Sequence, residues 1–182
     1  QRAAHYILNY QFMKNDRIFR VEGYYKIYDN LIESDFMTDS LQPYSNAGYG
    51  YARGVDLFFR DQKSIKWMDY WVSYSFLDTR RKYQDFPVEA PPTFTSAHNL
   101  SVVTKYWMNK WRMSVSLTYS YASGRPYYNP NVPTDQFLTD RTPDYHNLSL
   151  SISKIFDLKG HFAVLFVGLN NLTNRLNVFS YE

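Results

Sequence analysis

Hydrophobic and polar side chains alternate along much of this chain, which is the pattern of a β-strand with two different faces. The clearest run extends from Trp111 to Ala122; its apolar face carries Val115, Leu117, Tyr119 and Tyr121, and its polar face carries Ser114, Ser116, Thr118 and Ser120. At about 3.3 Å per residue and a tilt near 45°, this segment rises roughly 25 Å, the height of the apolar band of an outer-membrane β-barrel. The pattern therefore predicts a strand whose apolar face meets lipid and whose polar face lines a lumen.

The same alternation recurs along the rest of the chain and predicts about eight strands in four hairpins. The predicted strands are 4–12, 18–28, 50–60, 66–77, 97–108, 111–123, 144–156 and 161–171. Three long connections, from Asp29 to about Ala47, from Thr79 to about Thr93 and from Gly124 to Pro143, alternate with the short turns "KNDR", "DQKSI", "NK" and "DLKG". Tight turns at one end and long loops at the other are typical of outer-membrane barrels, so we predict an all-β, antiparallel meander.

The composition favours a membrane barrel and excludes several other classes of protein. Aromatic residues make up 19% of the 182 residues and include 18 Tyr, a residue that favours the membrane–water interface. The mean hydropathy of -0.50, and the lack of an apolar run near the roughly 20 residues of a spanning helix, exclude a helical membrane protein. A dispersed net charge of +3 predicts no nucleic-acid partner, and 0 Cys leaves neither a disulfide framework nor a thiolate metal site.

The chain resembles the C-terminal β-barrel portion of a TonB-dependent outer-membrane receptor. The resemblance runs through residues 50–60, 70–80, 91–128, 144–156 and 167–182, and its most specific piece is Asn170-Asn171-Leu172-Thr173-Asn174 followed by Asn177-Val178-Phe179. It implies a transmembrane β-barrel segment of about eight meandering strands within a larger barrel of about 22 strands. It also implies that residues 1–182 are part of one barrel domain, with an N-terminal plug, earlier strands and a last strand outside this chain.

The competing architecture is a complete eight-stranded barrel. Such a small barrel fills its interior with side chains, whereas the inward positions predicted here are mostly serines: Ser73, Ser75, Ser114, Ser116, Ser120, Ser149, Ser151 and Ser153. An open sheet in lipid would leave two rows of unpaired backbone groups, each costing several kcal/mol. We therefore expect these strands to belong to a larger β-barrel.

The resemblance implies a receptor in the outer membrane of a Gram-negative bacterium that takes up a scarce nutrient into the periplasm. A ferric siderophore is the favoured ligand, with cobalamin and a glycan as the other candidates. The implied partners are the TonB complex, the receptor's own plug domain, outer-membrane lipid and lipopolysaccharide, and a surface lipoprotein. The alternatives are a passive outer-membrane pore or structural small barrel, and an outer-membrane hydrolase.

Two long connections carry the best candidate ligand-binding residues, because arginine and tyrosine together suit an anionic, aromatic ligand. These residues are Arg80, Arg81 and Tyr83 in the second connection and Arg125, Tyr127 and Tyr128 in the third. The alternative is that they contact lipopolysaccharide or only solvate a loop. Four charged residues are predicted to face the lumen and to bond to a plug or to each other: Arg20, Glu22, Asp56 and Asp69.

No catalytic, metal or cofactor site is predicted. The histidines His5, His98, His146 and His161 lie near strand ends without metal-ligand spacing. The candidate base–nucleophile pairs for a hydrolase are His98 with Ser101 and His146 with Ser149. At a separation of three residues on a strand, the two side chains of each pair point to opposite faces.

Overall fold

The computed structural model describes residues 1–34 and 44–181, and these form one meandering sheet of eight antiparallel strands in chain order. The strands are Arg2–Lys14 (β1), Arg17–Ser34 (β2), Tyr44–Asp61 (β3), Met68–Lys82 (β4), His98–Met108 (β5), Met113–Ala122 (β6), Tyr145–Leu158 (β7) and His161–Leu169 (β8). The predicted fold class is confirmed. Residues 35–43 of the first predicted long connection, and Glu182, lie outside the described residues.

The sheet is open, because within the described residues β1 pairs only with β2 and β8 pairs only with β7. A closed eight-stranded barrel is therefore not the arrangement found. The same part of the chain contains no helix long and apolar enough to cross a membrane.

The strand register confirms the predicted division into an apolar and a polar face. Directly opposed residues share a face, and one row across seven strands reads Phe12, Phe19, Phe59, Val72, Val102, Tyr119 and Leu148. The next row along the strands faces the other way and reads Gln11, Arg20, Phe58, Ser73, Ser101, Ser120 and Asn147. A slip of one residue in any strand would exchange these faces, so the apolar pattern specifies the register.

Several predicted strand boundaries are wrong, among them those of β2, β3, β4 and β6. β2 continues to Ser34 and β3 already begins at Tyr44, where alternation of apolar side chains no longer marks a strand. β4 runs on to Lys82, so the second connection is residues 83–97 and not Thr79 to Thr93. β6 begins at Met113, because Asn109–Trp111 form a 3-10 turn that Arg112 ends in the left-handed conformation, with φ 47°.

The two described long loops are folded against themselves. Loop A, residues 83–97, and loop B, residues 123–144, contain the most buried apolar side chains among the described residues: Ala90 is 1% exposed, Leu138 is 2% exposed, and Pro92 and Pro126 are each under 2%. The backbone of Ala90 pairs with that of Arg81, and the backbone of Pro126 bridges Arg141. These loops therefore present their surfaces from a fixed framework.

The asparagine-rich motif lies in the segment after β8 and forms hydrogen bonds with β7. β8 covers β7 only up to Leu150, and residues 171–177 continue along the edge that β8 leaves open. The Leu172 N–H donates to the Leu148 carbonyl at 2.8 Å, and the Asn171 N–H donates to the side chain of Asn147 at 3.0 Å. The Asn177 side chain accepts from the His146 N–H at 3.1 Å and donates to its carbonyl at 3.0 Å. The motif thus satisfies backbone groups that would otherwise be unpaired.

Candidate functional site

Arg81 lies on the polar face of the sheet at the end that carries the long loops. It is opposed by Gly50 of β3, which is in turn opposed by Tyr28 of β2. A Cβ on Gly50 would lie 2.7 Å from Cγ of Arg81, so only glycine lets this side chain cross β3. The guanidinium carbon consequently lies 4.6 Å from the ring centroid of Tyr28 and 5.8 Å from that of Tyr83, in cation–π geometry.

The charge of Arg81 is not neutralised by any carboxylate that forms an ion pair with it in the described part of the chain. Its Nε is buried and has no hydrogen-bond acceptor among the described residues. Buried donors in native proteins are normally paired, so this nitrogen is a position at which an acceptor would be stabilised. The aromatic rings hold the guanidinium in place, and within the described part of the chain its Nε is left without an acceptor.

Aromatic contacts connect Arg81 to loop B. The ring centroids of Tyr83 and Phe86 are 4.9 Å apart, those of Phe86 and Phe137 are 5.1 Å apart, and those of Phe137 and Tyr128 are 5.7 Å apart. We call this set the arginine–aromatic cluster: Tyr28, Arg81, Tyr83, Phe86, Phe137 and Tyr128. It brings together three of the six predicted ligand-binding residues, two strands (β2 and β4) and both described long loops.

Arg125 and Tyr127 of loop B contact the C-terminal segment and not this cluster. The guanidinium carbon of Arg125 lies 5.4 Å from the Phe179 ring centroid, and the Tyr127 ring lies 4.7 Å from that of Tyr181. Arg125 and Phe179 line a cavity of about 220 Å³ together with Tyr145.

A second cavity, of about 250 Å³, adjoins this one at Ala122 and Tyr145. Its floor is the polar face of the sheet and carries small hydroxyl and amide side chains: Ser73, Ser75, Asn99, Ser101 and Ser120. This floor offers hydrogen-bond donors and acceptors without charge, beside Tyr145.

Arg80 departs from its predicted place. It was predicted to share a loop site with Arg81, but both residues belong to β4. Successive side chains of a strand point to opposite faces, and Arg80 is opposed by Tyr51 on the apolar face of the sheet. The sequence prediction failed because the strand continues beyond its apolar residues, where charged side chains on both faces look like a loop.

The four residues predicted to face the lumen all lie on the polar face of the sheet. Glu22 accepts a hydrogen bond from the Asn9 side chain at 2.9 Å. Asp69 accepts two from Arg60, at 2.9 Å from Nε and 2.6 Å from Nη2. The guanidinium carbon of Arg20 lies 5.5 Å from the Phe58 ring, and Asp56 is opposed by Glu22 and Ser75. Their role toward a plug stays a prediction.

Asp144 holds the base of loop B. Its carboxylate accepts the Gly124 N–H at 2.9 Å and the Tyr121 hydroxyl at 2.9 Å. The Gly124 hydrogen bond, followed by that of Tyr121, holds the pKa of this carboxyl below its ordinary value. The ionised form is therefore the one that closes the loop.

Two of the four histidines, His98 and His146, contact tyrosines on the apolar face. His98 Nδ1 lies 2.8 Å from the Tyr74 hydroxyl, and His146 Nδ1 lies 2.8 Å from the Tyr119 hydroxyl. Ser101 is opposed by Ser73 on the polar face, away from His98. Among the described residues no group of three His, Cys, Asp or Glu side chains could hold a metal ion.

The sequence missed Tyr28, Phe86 and Phe137 as members of the cluster. Tyr28 could have been found from register, since glycine at position 50 between two large side chains is a signal of close approach. Phe86 and Phe137 meet only because loops A and B fold toward each other, and no local pattern indicates that contact.

Comparisons with known proteins agree with this architecture. A protein-family model described as TonB dependent receptor-like, beta-barrel matches residues 7–172. The chain is similar to the outer membrane transporter YddB from Escherichia coli, with a TM-score of 0.72 and 11% identity over 99% of this chain and 30% of that chain. It is also similar to the ferric-catecholate import receptor Fiu from E. coli K12, with a TM-score of 0.66 and 12% identity over 98% of this chain and 24% of that one. It thus spans less than a third of either transporter. No curated protein matches the chain.

Proposed function

Because the chain belongs to the TonB-dependent receptor β-barrel family, we propose that it forms part of an outer-membrane transporter that carries a ferric siderophore into the periplasm. Members of this family are receptors and transporters, which favours transport over the hydrolase alternative. The proposal includes the TonB complex and a plug domain as partners, and places the long loops outside the cell, where they meet the ligand.

The arginine–aromatic cluster is the observation that carries this proposal. A ferric catecholate is anionic and aromatic, so it can accept hydrogen bonds from a guanidinium and stack on tyrosine rings. Arg81 offers an unpaired guanidinium on the lumen side of the sheet, held between Tyr28 and Tyr83. Fiu, which has a similar fold, is described as a ferric-catecholate import receptor, and this supports the same class of ligand here.

A glycan is the second candidate ligand, because of the uncharged cavity of about 250 Å³ floored by serine hydroxyls and Asn99. Hydroxyl and amide groups beside the Tyr145 ring suit a sugar, which presents many hydroxyls and one apolar ring face. This cavity carries no charge that would favour an anionic ligand over a neutral one.

Ligand binding to the purified full-length receptor in detergent tests the proposal, with a ferric catecholate complex, cobalamin and a neutral oligosaccharide as probes. Arg81→Ala removes charge-assisted contacts worth roughly 1.5–3 kcal/mol, so affinity for the ferric catecholate should fall tenfold or more. Arg80→Ala removes the same charge from the neighbouring residue on the opposite face and should leave that affinity unchanged. Binding of the oligosaccharide alone would establish the second candidate, and equal affinities of both variants for the ferric catecholate would remove Arg81 from the site.

A further inference from the structure

A basic patch lies on the apolar, outward face of the sheet at the end that carries the long loops. Three opposed pairs of β3 and β4 form it in succession: Arg53 with Asp78, Tyr51 with Arg80, and Tyr49 with Lys82. We call Arg53, Arg80, Lys82, Tyr49 and Tyr51 the outer-face basic patch. These residues share their face with Leu57 and Tyr74, so they cannot be reached from the lumen.

The patch begins where the apolar band ends. The preceding pairs on the same face are Val55 with Phe76 and Leu57 with Tyr74. Tyr51 and Arg80 lie four residues beyond Val55, which is about 13 Å along the strand and, at a tilt near 45°, about 9 Å along the membrane normal. The headgroup region outside the hydrocarbon core is about 5–8 Å thick, and a long arginine side chain can reach back into it. Arg80 is therefore at headgroup level.

The charges of this patch are only partly neutralised. Arg53 donates from Nε to Asp78 at 2.8 Å, and Nζ of Lys82 lies 3.4 Å from Glu33. Arg80 is exposed and forms no ion pair or side-chain hydrogen bond with any described residue. One guanidinium fork is thus left free between Arg53 and Lys82, beside the exposed ring of Tyr49.

We infer that the outer-face basic patch binds the phosphate of a phosphorylated membrane lipid, with Arg80 as the residue that contacts it directly. A guanidinium fork matches phosphate oxygens in a bidentate arrangement, and the acyl chains of the same lipid would lie along Val55 and Leu57 directly below. The basic residues thus lie at the level of the lipid phosphate, and the apolar residues lie at the level of the acyl chains. The inference rests on the membrane placement in the proposed function, but not on the identity of the transported ligand.

Native mass spectrometry of the full-length protein in detergent tests the inference, with diphosphoryl lipid A, its dephosphorylated form and phosphatidylethanolamine as probes. The wild-type protein should retain diphosphoryl lipid A in preference to both other lipids. Arg80→Ala should lower the lipid-bound fraction roughly tenfold, whereas Arg80→Lys, which keeps the charge but loses the fork, should lower it less. Lys26→Ala is the matched control, because Lys26 lies one row away on the opposite face. Circular dichroism checks that each variant keeps its sheet.

The inference is overturned if Arg80→Ala retains diphosphoryl lipid A as well as the wild-type protein does, if Lys26→Ala loses as much, or if the dephosphorylated lipid binds equally. Its outcome is separable from that of the proposed function. Loss of lipid binding in Arg80→Ala with no siderophore binding by the wild-type protein would sustain the lipid site and reject the siderophore. Unchanged lipid binding in Arg80→Ala, together with siderophore binding by the wild-type protein, would reject the lipid site alone.

Discussion

At the scale of single residues, neighbours in the sequence acquire different roles through the pleat of the strand. Arg80 and Arg81 look equivalent in the sequence, yet Arg81 crosses Gly50 to reach Tyr28 while Arg80 stands on the outward face beside Tyr51. The surroundings of each guanidinium, and not its charge, determine what it can contact. The proposals for a siderophore at Arg81 and a lipid phosphate at Arg80 follow from this one alternation.

Asp144 gives a prediction about pH at the same scale. Its folded-state pKa is depressed, mainly by the Gly124 N–H and then by the Tyr121 hydroxyl. It therefore contributes stability above its unfolded pKa of about 3.9, and this contribution is lost as pH falls through the lower folded value. Because Asp144 is exposed, water screens its interactions, so Asp144→Asn should be less stable than the wild-type protein by only about 0.5 kcal/mol at neutral pH, and the difference should shrink below about pH 4.

Thermal unfolding of the wild-type protein and Asp144→Asn across this pH range measures the effect. The difference between the two curves isolates Asp144 from the other carboxylates, which titrate in both proteins. A difference that stays constant from neutral to acidic pH would mean that the charge of Asp144 does not close loop B.

At the scale of strands, Gly50 and Gly54 on the polar face of β3 mark where a large side chain of a neighbouring strand crosses it. A Cβ on Gly54 would overlap the Phe76 carbonyl oxygen and the Tyr24 hydroxyl, so Tyr24 of β2 covers β3 at this position. Gly23, one row away on the outward face, has nothing within 4 Å of the same position. Two glycines in adjacent rows thus have opposite packing environments.

This contrast predicts that Gly54→Ala destabilises the protein by about 1–3 kcal/mol, because Tyr24 and the β4 backbone must move. Gly23→Ala should be neutral or stabilise the protein by up to about 1 kcal/mol, since alanine restricts the unfolded chain. Urea unfolding of the two variants in the same detergent compares them directly. If Gly54→Ala proved as stable as Gly23→Ala, Tyr24 would not be packed across β3 as described.

At the scale of the whole molecule, one apolar face spans all eight strands, and under the proposed function this face meets lipid while the polar face lines the lumen. Leu117, near the middle of β6, is opposed by Thr104 and Leu150 on the apolar face and is 41% exposed in this sheet. Thr118, the next residue, is opposed by Val103 and Ser149 on the polar face. Ser116 would be a poorer control, because Lys105 lies opposite it.

Leu117→Arg should therefore cost about 2–4 kcal/mol near the membrane midplane, and Thr118→Arg much less. The measurement is the denaturant midpoint of the full-length protein refolded into lipid vesicles. Equal losses in the two variants would show that the assignment of faces to lipid and lumen is wrong.

The sequence by itself determined the strand count, the hairpin order and the two faces, because these depend on a period of two that each strand carries locally. It also placed Arg20, Glu22, Asp56 and Asp69 on one face for the same reason. The sequence did not predict the strand ends beyond the apolar band, because a strand with polar side chains on both faces has no distinctive hydrophobic period.

Only the tertiary structure decided which loop residues meet. The contact of Phe86 with Phe137 joins two loops that are far apart in sequence, and Tyr28 reaches Arg81 only through the register of three strands. The separation of Arg80 from Arg81 depended on β4 continuing to Lys82, which its backbone pairing with β3 decides. Local alternation determines the face of the sheet to which a side chain points, whereas long-range strand pairing and loop packing determine which residues it contacts.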